Sequence, residues 1–142
     1  MIGWVDATAG ASGDMLLGAL VGAGVPVGVL QDAVDAVAPE PDTLRVERVS
    51  RGGLAAVRVH VHAPASPVHR SWADVSALLR AGSLPAPVLD RAGAVFARLA
   101  GAEGTVHGCP PEQVHFHEVG ALDAIADVVG VCAGLAHLGL VR

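Results

Sequence analysis

The stretch Val114-His115-Phe116-His117-Glu118-Val119-Gly120-Ala121-Leu122-Asp123 decides how this chain folds, because its periodicity changes partway through. From Val114 to Val119 apolar and polar residues alternate, as in an extended strand whose side chains point to opposite faces in turn. His115 and His117 then share one face, while Val114 and Phe116 point into a core. Past Gly120 the spacing becomes helical. Leu122, Ile125, Val129, Cys132 and Ala136 recur on one side of a helix expected over about 122–138. Asp123, Asp127, Gly130 and Gly134 form a second stripe, with two carboxylates one turn apart and glycines that let a neighbour come close.

Working outward, Ile2–Val5 reads as a short apolar strand ending at Asp6, followed by a small-residue loop, 7–13. A helix is expected from about Asp14 to Ala23, with Leu16, Ala19, Leu20 and Ala23 on its buried face. Pro26 opens a second helix, where its missing N–H costs nothing. Leu30, Ala33, Val34 and Val37 form its stripe, and Pro39 stops it. Two alternating segments, Leu44–Val49 and Val57–Val61, flank Gly52-Gly53 and predict a hairpin. Ser71, with Asp74 three residues later, has the signature of a reciprocal helix cap. Trp72, Val75, Leu78 and Leu79 give that helix its face. The longest helix is expected over 85–106, with Leu89, Ala92, Val95, Phe96 and Leu99 as its stripe and Gly108 and Pro110-Pro111 as its stop. No repeat or linker breaks the pattern. The expectation is an α/β fold: a compact, helix-rich single domain over 1–142 with a small mixed sheet.

Composition narrows the function. The 142 residues are 52% hydrophobic and 16% charged, with net charge −5, which suits one globular domain with a real core. All nine basic residues are arginine and they are scattered, and aromatics make up 3% of the chain. No nucleic-acid footprint results. The absence of lysine excludes Schiff-base chemistry and a lysine-dependent phosphate loop within these residues. Cys109 and Cys132 form no metal-type or redox pair and read as reduced thiols. Met15–Gln31 is uncharged but broken by glycines and Pro26, so it is not a membrane span. With no signal-type N-terminus, a cytoplasmic protein that meets no membrane is expected.

The chemistry concentrates in 115–127. Neutral imidazole is the commonest biological metal ligand and titrates near neutral pH, so the pair with carboxylates just downstream suits a divalent metal or a proton-transfer site. Spacing by chance is the competing reading: seven histidines include His60 and His62, also two apart, on what reads as a solvent-facing strand. The density of polar groups in an apolar stretch favours function, since burying them unpaired costs on the order of several kcal/mol. Elsewhere, Gly10-Ala11-Ser12-Gly13-Asp14 joins a strand end to a helix start, a common ligand position in α/β folds. Ser12 there reads first as a helix cap, and Asp14 as either a cap or a site residue. His69-Arg70 reads first as a solvated pair, although an arginine there suits clamping a carboxylate or phosphate. His107, in the last turn of a helix, is accounted for by the helix dipole.

Taken together, these blocks resemble the LarC family of nickel-insertion proteins. The matching residues are Gly10-Ala11-Ser12-Gly13-Asp14-Met15 with Leu17-Gly18-Ala19-Leu20, then His69-Arg70, Asp74-Val75, Ala102-Glu103 and Val106-His107-Gly108. Val114–Gly120, Asp123 and Asp127-Val128-Val129-Gly130 complete the set. The His-Phe-His-Glu-Val-Gly block is the specific one. Family members are far longer, so the chain resembles their N-terminal domain, without the C-terminal CTP-binding domain. Gly104 stands where the family usually has alanine.

The resemblance implies a CTP-dependent nickel chelatase, a lyase-type metal insertion. It would place Ni(II) in pyridinium-3,5-bisthiocarboxylic acid mononucleotide during nickel-pincer cofactor biosynthesis. Imidazole and carboxylate ligands suit exchangeable Ni(II), and a nearby free base suits removal of a ring proton. The implied metal ligands are His115, His117, Glu118 and Asp123, with His117, Glu118 and Asp14 in catalysis. Arg70, Ser12, Gly13 and His69 would bind substrate, and Asp6, Asp127 and His107 would stand in a second tier. CTP and a divalent ion such as Mn or Mg are expected only with a C-terminal LarC-like part, in cis or as a separate product. Without that part the domain is expected to be inactive. A homo-oligomer is compatible with this reading. The alternatives are a non-enzymatic nickel-binding and delivery module, or a structural docking domain whose histidines belong to the core.

Overall fold

A computed structural model describes residues 2–8, 10–39, 43–63, 70–116 and 121–140. Five helices and one hairpin make up the described fold: α1 (Gly13–Gly22), α2 (Val27–Asp35), β1 (Thr43–Arg51), β2 (Leu54–His62), α3 (Trp72–Ala81), α4 (Ala86–His107) and α5 (Leu122–His137). A single 3₁₀ turn, Pro111–Gln113, lies between the last two helices.

Local chemistry explains most boundaries. β1 and β2 pair antiparallel, with Thr43 opposite His62 and Arg51 opposite Leu54. Their two-residue turn puts both Gly52 and Gly53 at positive φ, 57° and 80°, as a type I′ turn requires. Ser71 caps α3 through a complete capping box. Its hydroxyl accepts from the Asp74 backbone N–H at 3.1 Å, and Asp74 accepts from the Ser71 backbone N–H at 2.9 Å. α4 ends on Gly108 in the left-handed conformation.

The core has two lobes that share α5. In one, Val75 and Leu79 of α3 meet Val88, Ala92 and Phe96 of α4, Ile125 and Val129 of α5, and Val114 and Phe116. In the other, Leu17 and Leu20 of α1, Leu30 and Val34 of α2, and Leu44 and Val59 of the hairpin pack round Ala126. The glycine stripe of α5 makes this second lobe possible. A Cβ on Gly130 would lie 2.8 Å from Leu17, and one on Gly134 would lie 2.8 Å from Leu20.

The α/β domain expected from sequence is present, and its described sheet is this two-stranded antiparallel hairpin. Three details differ from the sequence reading. The buried face of α4 is Val88, Ala92, Phe96, Ala100 and Gly104, and of the expected stripe Leu89, Val95 and Leu99 are only half-buried. Ile2–Val5 forms no strand: Ile2, Trp4 and Val5 are exposed, and no sheet edge among the described residues pairs with them. An extended segment becomes a strand only when a neighbour takes up its backbone groups. The buried face of α1 is Leu17, Gly18 and Leu20, while Ala19 and Ala23 are exposed. Here β2 crosses the helix so closely that a Cβ on Gly18 would lie 2.4 Å from the Val57 carbonyl oxygen. No described helix is long and apolar enough to cross a membrane.

Candidate functional site

Two helix N-termini converge on one set of carboxylates. Asp14 lies in the first turn of α1 and Asp123 in the first turn of α5, positions where the helix dipole favours negative charge. Asp127, one turn further along α5, sits between them. Burial, then Asp14, then Asp123 push its carboxyl up from 3.8 to about 6. Its Oδ1 is buried with no hydrogen-bond partner among the described residues. The same side chain lies on the backbone of Gly13, where a Cβ would come within 2.3 Å of Oδ2. Ser12 occupies the N-cap position of α1 but makes no cap with its side chain. Its hydroxyl instead donates to Asp14 Oδ1, which also accepts from the Met15 N–H at 2.9 Å. The cap expected of Ser12 is thus corrected: the hydroxyl holds the Asp14 carboxylate. Asp123 Oδ1 accepts from the Ala124 N–H at 2.8 Å, and its side chain is exposed.

A second group lies on an antiparallel bridge between Ser71 and His115. The Trp72 N–H donates to the Val114 carbonyl at 3.1 Å, and the Phe116 N–H to the Arg70 carbonyl at 3.0 Å. His115 is exposed between buried Val114 and Phe116, which is the alternation the sequence predicts. Arg70 is the one buried charged residue among the described residues, 8% exposed, and it is partnered. The solvated-pair reading of Arg70 is therefore corrected, since a guanidinium so deep is held by its surroundings. Asp74 is kept below its ordinary pKa chiefly by Ser71, with smaller contributions from His115 and Arg70. These charges thus share one neighbourhood.

His69, His117 and Glu118 lie outside the described residues. Asp6 and His107 are engaged locally. Asp6 Oδ1 accepts from the Thr8 N–H and hydroxyl at 3.0 and 2.8 Å, which lowers its pKa. His107 pairs with Glu103 at 3.2 Å, one turn back on α4. His60 pairs with Glu47 across the hairpin at 3.0 Å and stacks near His62, which gives that pair a structural role. Among the described residues no group of three or more His, Cys, Asp or Glu side chains is arranged to hold a metal ion. Asp14, Asp123 and Asp127 are therefore a charged cluster rather than a closed metal centre.

Grooves open on both sides of the α1 N-terminus. One, of about 380 Å³, runs between α4 and α5 from Gly13, Leu16 and Asp127, and it includes Arg91 and Arg98 of α4. The other, of about 680 Å³, lies between α1 and the hairpin and is lined by Ser12, Asp14, Arg51 and Arg58 among others. The sequence reading missed Arg91 and Arg98. Their only signal is a spacing of seven on one helix face, which ordinary surface arginines share.

Fold and site define a small α/β domain whose helix N-termini gather carboxylates, with imidazole and guanidinium groups on a neighbouring bridge. The family model described as "Nickel insertion protein" matches residues 4–142, and the chain belongs to that family. It is 70% identical over 136 residues to the pyridinium-3,5-bisthiocarboxylic acid mononucleotide nickel insertion protein of Nocardioides sp. (strain ATCC BAA-499 / JS614), covering 96% of this chain and 35% of the relative. It is 41% identical over 137 residues to the protein of that name from Desulfitobacterium hafniense (strain DSM 10664 / DCB-2), covering 96% and 34%. The chain spans about a third of the length of these relatives. No solved structure matches it.

Proposed function

We propose that this chain is the metal-handling N-terminal domain of a CTP-dependent nickel chelatase. In this reading it takes up Ni(II) on exchangeable nitrogen and oxygen ligands and delivers it to pyridinium-3,5-bisthiocarboxylic acid mononucleotide. The observation that carries the reading is the convergence of Asp14, Asp123 and Asp127, with a buried carboxylate oxygen on Asp127 that has no partner among the described residues. An anionic group held against burial and like charge is stabilised by a cation. Carboxylate and imidazole donors bind Ni(II) less permanently than thiolates, as metal meant to be passed on requires. The names of the relatives, and membership of their family, supply the cargo and the acceptor.

The residues divide the work. Asp123 and His115, with His117 and Glu118, hold Ni(II), and Asp127 orients or charges the site. Asp14, kept in place by Ser12, and Gly13 form the floor. Arg70 and His69 engage the anionic groups of the substrate. Two thiocarboxylate sulfurs displace protein ligands from the metal. His117 or Glu118 then takes the ring proton as the carbon–hydrogen bond gives way to a nickel–carbon bond. The chain has no lysine and no phosphate-loop pattern, so CTP and its Mn or Mg ion are assigned to the further length that the relatives possess. The isolated domain is accordingly expected not to turn over, and its place is the cytoplasm.

Calorimetric titration with Ni(II) tests this. The wild-type chain should bind about one ion, more weakly as pH falls and imidazole protonates. The double variant His115→Ala, His117→Ala should lose that binding with its circular dichroism intact. Equal binding by both proteins overturns the metal assignment. Insertion should appear only when the C-terminal part of a relative and CTP are supplied.

A further inference from the structure

The groove between α4 and α5 has the character of a ligand site. Its walls are Leu16, Ala94, Val95, Val128, Val131 and Leu135, and its charged members are Arg91, Arg98 and Asp127. Small-molecule sites are typically concave and mostly apolar, with a few placed polar groups, and hold about 300–1,000 Å³. This groove, at about 380 Å³, fits that description. Arg91 and Arg98 lie two turns apart on one face of α4, a separation of about 10 Å along the axis. Arg91 is fixed in place: its Nη2 donates to the Leu140 carbonyl at 3.0 Å, which leaves other guanidinium donors for a ligand. Arg98 makes no hydrogen bond or ion pair among the described residues. Arg91 and Arg98 line the slot almost wholly with their aliphatic stems, so their guanidiniums serve its mouth. In a chain of net charge −5 they favour a ligand whose flat apolar body fills the slot and whose anionic groups stay at the opening.

We infer that this groove binds the substrate's ring, a pyridine-type heterocycle with carboxylate-class substituents and a phosphate. The ring lies between the apolar walls; two of its three anionic groups lie on Arg91 and Arg98, and the third is left to Arg70 and His69. The identity of the ring rests on the nickel-insertion reading; the groove and its charges do not. The groove reaches Gly13 and Asp127, so a ring held there has one edge beside the carboxylates proposed to handle the metal. The larger groove on the other side of α1 is less suited to an anion. Each groove is lined by one carboxylate, Asp127 in the first and Asp14 in the second, but in the second Glu47 also lies within the electrostatic reach of both arginines, Arg51 and Arg58.

Nicotinic acid mononucleotide, a pyridinium ring with one carboxylate and one phosphate, is the probe. It is titrated into the ¹⁵N-labelled chain and followed by amide shifts and calorimetry. Binding should shift Ala94, Val95, Val128 and Val131. Arg98→Gln, at an exposed position, should weaken it about ten-fold, as for loss of a charge-assisted hydrogen bond, with the melting temperature kept. Val131→Trp should abolish it by filling the slot, and Arg98→Gln decides the matter should that variant not fold. Arg58→Gln should change nothing. Shifts centred on Gly18, Ala19 and Val57 with dependence on Arg58 overturn the inference in favour of the other groove. No shift at millimolar probe overturns it and leaves the slot as a protein-docking surface. Ni(II) titration of the same proteins keeps the two readings apart. Arg98→Gln should keep its nickel affinity, and failure of nickel binding in the wild type sinks the metal reading without touching the probe result.

Discussion

The carboxylate of Asp127 rests directly on the Cα of Gly13, with no room between them for a methyl group. One residue opens α1 and the other lies in the second turn of α5, so this contact locks two helix starts together at the place where Asp14 and Asp123 add their charges. Gly13 is thus required by space and not by backbone freedom: it is helical, and it is absent from the glycines at positive φ.

Gly13→Ala should therefore damage the site rather than improve the helix. Alanine gains up to about 1 kcal/mol over glycine in helix propensity. Against that, its Cβ would lie 2.3 to 2.5 Å from three atoms of Asp127, a clash relieved only by swinging the carboxylate out or parting the helices. Overpacking of this kind costs about 1–3 kcal/mol. A lowered melting temperature, together with a weaker response to Ni(II), is the expected result of thermal melts with and without the metal. An unchanged or raised melting temperature with normal nickel response would show that Asp127 moves freely.

Asp127→Asn separates charge from shape. The folded chain raises this carboxyl from 3.8 to about 6. The folded state therefore favours the protonated acid, and its stabilising contribution is full below pH 3.8. That contribution is lost as pH rises through about 6. The shift sets a ceiling of about 3 kcal/mol at about 1.4 kcal/mol per unit, and partial exposure reduces it to about 1 kcal/mol. Asparagine never ionises, so the variant should match wild type in melting temperature near pH 4 and exceed it near pH 8. Adding Ni(II) at pH 8 should stabilise wild type more than the variant, because only wild type has the charge for the cation to neutralise. Identical pH profiles for the two proteins would remove Asp127 from the charge cluster.

Ser71→Ala tests whether the α3 cap supports the His115 bridge. The change removes the hydroxyl that accepts from Asp74 N–H and donates to Asp74 Oδ2. Loss of a cap costs about 0.5–2 kcal/mol. Ser71 also forms the bridge to His115, so the amide of Phe116, which donates to the Arg70 carbonyl, should exchange faster with solvent. Hydrogen exchange that speeds up only within α3 would show that cap and bridge are independent.

What the sequence revealed follows how local the cause was. The stripe of α2 was legible because Leu30, Ala33, Val34 and Val37 recur at helical spacing, and all four are buried. The hairpin and the α3 cap were legible because Gly52-Gly53 and Ser71/Asp74 carry their geometry within four residues. The face of α1 was misjudged because the segment is apolar nearly all round. Only the approach of Val57 to Gly18, a tertiary event, selects the buried side. Ile2–Val5 has strand composition without a partner. The site was half legible. The Asp123/Asp127 stripe came from periodicity, but its meeting with Gly13 depends on how α1 and α5 pack. Arg70 reads as surface until the bridge buries it, and Arg98 becomes notable only beside a groove.

Asp123→Asn, set against His107→Ala, asks whether the carboxylates at the α5 start serve the metal or only the helix. Asp123 is exposed and bonds the neighbouring Ala124 N–H, which asparagine's oxygen can also do, so stability should stay within about 1 kcal/mol of wild type. Losing a ligand charge should nonetheless cut nickel affinity by about ten-fold or more, as loss of a ligand or its orienting partner does. His107 pairs with Glu103 in the last turns of α4, and its removal should leave nickel affinity alone while costing a few tenths of a kcal/mol from that helix end. Melting temperature and Ni(II) calorimetry on the same preparations read both quantities. A stable Asp123→Asn protein with undiminished nickel affinity would reduce its carboxylate to a helix-dipole partner. A nickel defect in His107→Ala would bring the end of α4 into the metal site, where the local Glu103 pair does not place it.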